Sequence, residues 1–269
     1  MAGDQKRYIT RNANSILGAF NVNGNQLISL VGGGGKTSTM FGIAHALVLN
    51  NYTAITTTTT HIAVPTEEQT PYIYSRPESG LEIDKIKDLV KEYKHITVVN
   101  RSADGQKVFG ITAEEVDALY AAGICDCIIC EADGASQRPV KCPRETEPVF
   151  PLSTTITIPV VGMDALYAVI GSEKTFRDEY ICKVTGLNVG DELKEDAIAK
   201  IVTDEHGLIQ YAPKTSEVIP FLNKIDITGR RAGEDLAKAI LDVDHPQIDR
   251  VIIGAMYDPL RQFTIIQKS

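Results

Sequence analysis

The amino-acid sequence predicts an α/β protein of three layers, α/β/α, built on a mostly parallel sheet. Three observations predict it. Strand-like and helix-like stretches alternate along the chain, as parallel sheets with crossover helices require. Several strand stretches, such as Cys127-Ile128-Ile129-Cys130 and Val251-Ile252-Ile253, are short apolar runs of the kind buried on both faces. The run Leu27–Val31 passes through four glycines, Gly32–Gly35, into Lys36-Thr37-Ser38 and a helical pattern.

Taken in order, residues 1–24 read as an N-terminal leader with a short helix near Ser15–Phe20. Strands are expected at 27–31, 53–59, 95–100, 126–131, 155–161, 217–222 and 250–255, with an edge strand at 262–267. Helices are expected near 37–49, 83–93, 113–122, 192–202 and 231–241. Segments 62–82 and 132–153 are polar and carry prolines, and read as loops. Loops of that length in a compact domain are functional or mobile, and 132–153 has the place of a switch. No repeat, low-complexity tract or linker interrupts the pattern, so 1–269 reads as a single domain.

Composition narrows the function classes. The chain is 43% hydrophobic, lacks tryptophan and carries a formal charge of −8. That charge argues against a broad nucleic-acid surface, though not against a local basic pocket. No apolar run approaches the ~20 residues of a membrane-spanning helix. The first residues show no apolar signal core. Five cysteines, an odd number, suit a reducing cytoplasm better than a disulfide framework.

The glycine stretch carries the first chemical signal. Glycines let backbone N–H groups turn inward around an anion, and the helix N-terminus behind them adds donors and a favourable dipole. Gly32, Gly33, Gly34, Gly35, Lys36, Thr37 and Ser38 are therefore the candidate phosphate cradle. Lys36 would reach the β- and γ-phosphates, and Thr37 would bind Mg²⁺. The site is expected at the surface, where Lys36 could be replaced without disturbing the fold. The spacing, Gly32-x-x-Gly35-Lys36-Thr37, is two residues shorter than the usual phosphate loop, a form found in Mur-type ligases.

Two further motifs stand at strand ends. Glu131-Ala132-Asp133-Gly134 follows the apolar run ending at Cys130. Ligands of doubly wound sheets gather at such ends. Glu131 would hold Mg²⁺ with Thr37; Asp133 is a second carboxylate to orient a water; Gly134 would sense a terminal phosphate. Asn223-Lys224-Ile225-Asp226 follows another strand and matches the guanine-reading N-K-x-D pattern. Asp226 would accept from guanine N1 and N2, the Lys224 stem would cover the base, and Asn223 would tie this segment to the phosphate loop. The base stays open between GTP and ATP, because N-K-x-D suits GTPases and the short loop suits ATP-using ligases.

Lesser signals surround these. Thr56–Thr60 runs into His61, which would stand at the ligand edge as a base, metal ligand or phosphate donor; most of the threonines also fit plain β-propensity. Lys36, Asp133 and His61 are thus the candidate catalytic residues. Arg138, Lys141 and Arg144 form a candidate anion clamp. Cys125 and Cys127 should face one side of a strand and Cys130 the other, which suits buried thiols better than a shared metal.

With these residues quoted, the chain resembles the YqeC family, accessory proteins of selenium-dependent molybdenum hydroxylases. The resemblance rests on LVGGGGKTS (30–38), TTTTHIAVP (57–65), EADGA (131–135), RPVKCP (138–143), EPVFP (147–151), VVGMDAL (160–166) and LNKID (222–226). It implies a fold like that of P-loop NTPases that mature nickel enzymes. It also implies a role in making or inserting a selenium-containing molybdenum cofactor, with a molybdenum hydroxylase or a cofactor-carrying protein as partner. The family pattern around the switch loop reads closer to K-x-P-A than Lys141-Cys142-Pro143, so Cys142 is not assigned as a family feature. A homodimer is left open. The rival expectations are an NTP-dependent kinase, nucleotidyltransferase or ligase, and a non-hydrolysing nucleotide switch.

Overall fold

The computed structural model describes residues 8–100, 106–257 and 262–269. In chain order its strands are β1 (Tyr8–Ala13), β2 (Gln26–Gly32), β3 (Ala54–Thr58), β4 (His61–Ala63), β5 (Ile73–Ser75), β6 (His95–Val99), β7 (Lys107–Phe109), β8 (Cys127–Glu131), β9 (Val140–Lys141), β10 (Ile156–Gly162), β11 (Thr175–Phe176), β12 (Glu217–Val218), β13 (Phe221–Asn223), β14 (Arg250–Ile253) and β15 (Phe263–Lys268). The helices are α1 (Ile16–Ala19), α2 (Lys36–Leu49), α3 (Ile83–Tyr93), α4 (Ala113–Ala121), α5 (Asp178–Thr185), α6 (Glu195–Thr203), α7 (Ile225–Thr228) and α8 (Arg230–Asp242).

One sheet runs through the molecule in the order β1-β15-β14-β13-β10-β2-β8-β3-β6-β5, with β12 pairing beside β10. From β14 to β5 every pair is parallel. Only the β1-β15-β14 edge is antiparallel. Side chains of β2 alternate between the faces with the two-residue period of a strand. Ile28 and Leu30 pack with Phe20, Met40, Ile43 and Leu47, so α1 and α2 cover one face. Leu27 packs with Ile86, Val90, Val116 and Leu119 of α3 and α4 on the other. Val31, on that same other face, joins the cluster of α6 and α8. The expected three layers are therefore present, and the apolar strand runs are buried between them.

Topology places the site. From β2 the chain crosses through α2 to β3, passing over β8, which slots between them. From β8 it returns past β2 to β10. These connections diverge at the carboxyl ends of β2, β8 and β10, the edge at which ligands of open α/β sheets bind. α4 opens with a capping box from Thr112 and Glu115. α2 opens on Gly35 with no side-chain cap, leaving its first N–H groups to other partners.

The expectations differ from the structure in places with physical causes. Residues 8–13, expected within a leader, form β1 and pair with β15, covering the edge that strand would otherwise expose. β5 sits inside the expected 62–82 loop because parallel pairing with β6 outweighs its polar flanks. No expected helix covers α5, which begins at Asp178 and is capped by Gly186 at φ 78°. Among the described residues, no helix is long and apolar enough to cross a membrane.

Candidate functional site

Gly32, Gly33 and Gly34 are fixed by close backbone approach, and Gly35 by the side chain of Asn223. Gly32, Gly34 and Gly35 take φ of 91°, 72° and 122°. A Cβ on Gly34 would come within 2.1 Å of the Gly162 nitrogen, and one on Gly33 within 2.4 Å of the Arg138 oxygen. This tight closure occupies three amides expected for phosphate. Gly32 N–H donates to Asp133 Oδ2 at 3.0 Å. Gly33 and Gly34 N–H donate to the carbonyls of Val160 and Arg138, each at 2.9 Å. The short loop thus folds its first amides onto the protein. The N–H groups of Gly35, Lys36, Thr37 and Ser38, at the uncapped start of α2, have no protein acceptor among the described residues.

Lys36 is buried, against expectation. Its Nζ donates to the Gly32 carbonyl at 2.7 Å and lies 3.4 Å from Glu131 Oε1 and 3.2 Å from Asp133 Oδ1. Thr37 Oγ1 donates to Glu131 Oε2 at 2.9 Å. Parallel pairing sets this meeting, because Glu131 closes β8 directly opposite Leu30 of β2. Burial pulls the Lys36 pKa down, but Asp133 and then Glu131 more than offset it, so Lys36 stays cationic. Burial pushes the Glu131 pKa up, and Lys36 and Thr37 only partly counter this. Two carboxylates share Lys36, which is why the cation is held firmly while Glu131 still resists ionisation.

Asp133 does not stand free to orient a water. It is fully buried; besides Gly32 N–H and Lys36, its Oδ2 meets Lys141 Nζ at 2.8 Å. It braces the glycine loop. Lys141, expected in an anion clamp, is instead fully buried between Asp133 and Glu147, with Glu147 Oε2 at 3.1 Å. Arg177, at the start of α5, grips Glu147 with both terminal nitrogens at 2.6 and 2.8 Å. Although partial burial opposes ionisation, these Arg177 bonds and Lys141 hold the Glu147 pKa down, at about 2. Arg138 donates to the Glu173 carbonyl, and Arg144 is exposed, so the three residues form no clamp. Lys141→Ala would leave Asp133 to Lys36 and the Gly32 N–H and Glu147 to Arg177 alone; removing one member of a buried charged network costs about 3–5 kcal/mol. Thermal unfolding should show that loss at neutral pH, and an unchanged midpoint would remove Lys141 from this bracing role.

The threonines mostly serve the sheet. Thr56 Oγ1 meets Thr97 Oγ1 at 2.7 Å, Thr57 donates to Val98 O at 2.8 Å, and Thr58 donates to Glu131 O at 2.7 Å. His61 is exposed on β4, and a Cβ on Gly134 would lie 3.8 Å from its Cε1. It therefore stands beside Gly134. Across β2, Asn223 makes the expected tie: Nδ2 donates to Gly34 O at 2.8 Å, while Oδ1 accepts from Met256 N–H at 3.0 Å. Lys224 takes φ 65° and pairs with Asp164 at 2.9 Å. Asp226 is exposed in the first turn of α7.

A protein-family model described as "YqeC protein" matches residues 28–179. The curated "Uncharacterized protein YqeC" of Escherichia coli (strain K12) is 32% identical over 198 residues, covering 74% of this chain and 75% of that protein. The chain belongs to the YqeC family. The segment matched by the family model holds the glycine loop, Glu131, Asp133, Lys141, Glu147 and Arg177, the whole charged chain described above. Asn223–Asp226 lies beyond it.

The cysteines stay apart from this chemistry. Cys127 and Cys130 face opposite sides of β8, as expected. Cys125 precedes the strand and packs on the Cys130 side, contrary to the strand alternation expected of it. Burial pushes the thiols of Cys125 and Cys142 up to about 12 and that of Cys127 up to about 11. Burial thus favours the protonated thiol at these positions. Among the described residues, no cluster of three or more His, Cys, Asp or Glu side chains is arranged to hold a metal.

Proposed function

We propose that this chain is a Mg²⁺-dependent P-loop NTPase that uses GTP or ATP, acting as an accessory factor in maturing selenium-dependent molybdenum hydroxylases. One observation carries the nucleotide reading. Lys36 and Thr37, at the open start of α2, face Glu131 at the end of the neighbouring parallel strand. The hydroxylase-maturation role rests on the family's motifs, and its partner is a molybdenum hydroxylase or a protein carrying that cofactor. The reducing cytoplasm is the compartment this reading assigns, with all five thiols unpaired.

The donor set fits Mg²⁺. Thr37 Oγ1 and Glu131 Oε2 are hard oxygens already 2.9 Å apart, and Mg²⁺ takes one or two protein oxygens beside phosphate and water. Bound there, the ion would neutralise charge developing on the transferred phosphoryl group. The protein's own part is positional. The N–H groups of Gly35–Ser38 would hold phosphate oxygens. Lys36 would leave Glu131 and Asp133 for the β- and γ-phosphates, and His61 and Gly134 would face the attacking water. A second reading, transfer to a small acceptor rather than water, is favoured by the short loop and by the exposure of His61 beside Gly134.

The test is a thermal-shift and turnover screen of nucleotides with and without Mg²⁺. A ligand at ~100 times its Kd adds ~2.7 kcal/mol of stability. Glu131→Gln should weaken the Mg²⁺ requirement's grip: half-saturation by Mg²⁺ should rise roughly tenfold while nucleotide selectivity holds. Equal Mg²⁺ dependence in parent and variant would remove Glu131 from the metal site. A phosphorylated or nucleotidylated product in place of free phosphate would favour the transferase.

A further inference from the structure

We infer that Tyr257 forms the nucleoside end of the site, with its ring as the stacking face for the base; this rests on the nucleotide reading above. Tyr257 is 85% exposed, the most exposed large hydrophobic side chain among the described residues. Its hydroxyl nevertheless has a fixed partner, Ser38 Oγ at 2.8 Å, on the first turn of α2. An exposed aromatic ring is therefore held at the rim of the unpartnered N–H groups.

The neighbouring residue is fixed just as firmly. Met256 N–H donates to Asn223 Oδ1, whose amide nitrogen donates to Gly34 O. Gly254 O accepts from Ile225 N–H, and Gly254 N–H donates to Leu222 O. The turn after β14 is thus locked both to the glycine loop and to the N-K-x-D segment. Sheet order gives the site its polarity. Glu131 ends β8, where Lys36 points, and His61 lies beside Gly134 just beyond it. Asn223 ends β13, and Asp226 and Tyr257 follow β13 and β14, on the opposite side of β2. A nucleotide with its terminal phosphate at Lys36 and Glu131 runs its nucleoside toward Tyr257. There the ring offers a flat apolar face, and Asp226 offers an acceptor for the base edge. Stacking tolerates any base, since each has a π face. Tyr257 then supplies affinity for the nucleoside, and Asp226 the choice between bases.

The experiment separates the two ends of the ligand. Parent, Tyr257→Ala and Tyr257→Phe are titrated calorimetrically with GTP, ATP and inorganic tripolyphosphate, each with Mg²⁺. Tyr257→Ala should lose roughly tenfold in affinity for both nucleotides and keep its affinity for tripolyphosphate. Tyr257→Phe should stay within about threefold of the parent for all three, because stacking does not need the hydroxyl. Unchanged nucleotide affinity in Tyr257→Ala overturns the inference while leaving the nucleotide reading in place. Equal losses for tripolyphosphate and nucleotides overturn it too, since they would place the effect at the phosphates. A parent that binds tripolyphosphate but neither nucleotide overturns both readings.

Discussion

Lys36→Ala is expected to lower nucleotide affinity by roughly a hundredfold or more, since a hydrogen bond to a charged group contributes about 1.5–3 kcal/mol and Lys36 would meet two phosphates. The same substitution should destabilise the protein, because Lys36 is buried against Glu131 and Asp133. Asp133 keeps Lys141 as a partner, whereas Glu131 loses its cation. The pH dependence follows from that asymmetry. The Glu131 pKa is already raised by burial, so its protonated form is favoured by folding; the associated stability is lost as pH rises through the folded value. Without Lys36 the folded value moves further up, and the loss extends to higher pH. The midpoint of Lys36→Ala should therefore fall below the parent's by more at about pH 8 than at about pH 5. Binding must be measured where the variant is folded. A folded variant that binds nucleotide like the parent would falsify the phosphate-site reading. A variant with equal midpoint deficits at both pH values would show that Glu131 does not depend on Lys36.

What the sequence made legible, and what it hid, follows from how local each cause is. The Gly32–Ser38 junction and the apolar runs of β8 and β14 are local signals: glycine conformational freedom, helix start and period. Asn223 tying to Gly34 was also legible, because the N-K-x-D pattern comes with that contact. The occupied amides of Gly32–Gly34 were not legible, since their acceptors arrive from Asp133, Arg138 and Val160, more than a hundred residues along the chain. Lys141 illustrates the same limit. In RPVKCP it reads as a loop cation, and only the convergence of Asp133, Glu147 and Arg177 makes it a buried brace. Its one sequence clue was a lysine set among valine, cysteine and prolines, the composition of a buried segment. Likewise β1 is a polar stretch that becomes a strand through pairing with β15, a contact made across nearly the whole chain.

Asp226→Asn is expected to shift base preference from guanine toward xanthine by roughly a hundredfold in the ratio of affinities, two charge-assisted hydrogen bonds being exchanged. The phosphate end cannot decide between GTP and ATP, which present the same phosphates to Lys36 and the α2 amides. Any choice must be made at the nucleoside end. Asp226 is exposed in the first turn of α7. Lys224 before it is pinned to Asp164 and Asn223 to the glycine loop, so the segment is held beside that loop. Guanine presents two N–H donors to such a carboxylate. Adenine presents an acceptor at N1 and no exocyclic N2, leaving the carboxylate unmatched, and sites built on polar pairing reject such analogues strongly. An asparagine in its place offers a donor, which xanthine's C2 oxygen accepts. Competition of GTP, ATP and XTP against a fluorescent nucleotide, on parent and variant, reads this directly. A parent that prefers ATP, or a variant whose preference does not move, would exclude guanine reading by Asp226. The short glycine loop would then weigh toward the ATP-dependent transferase, with Tyr257 still free to stack on adenine.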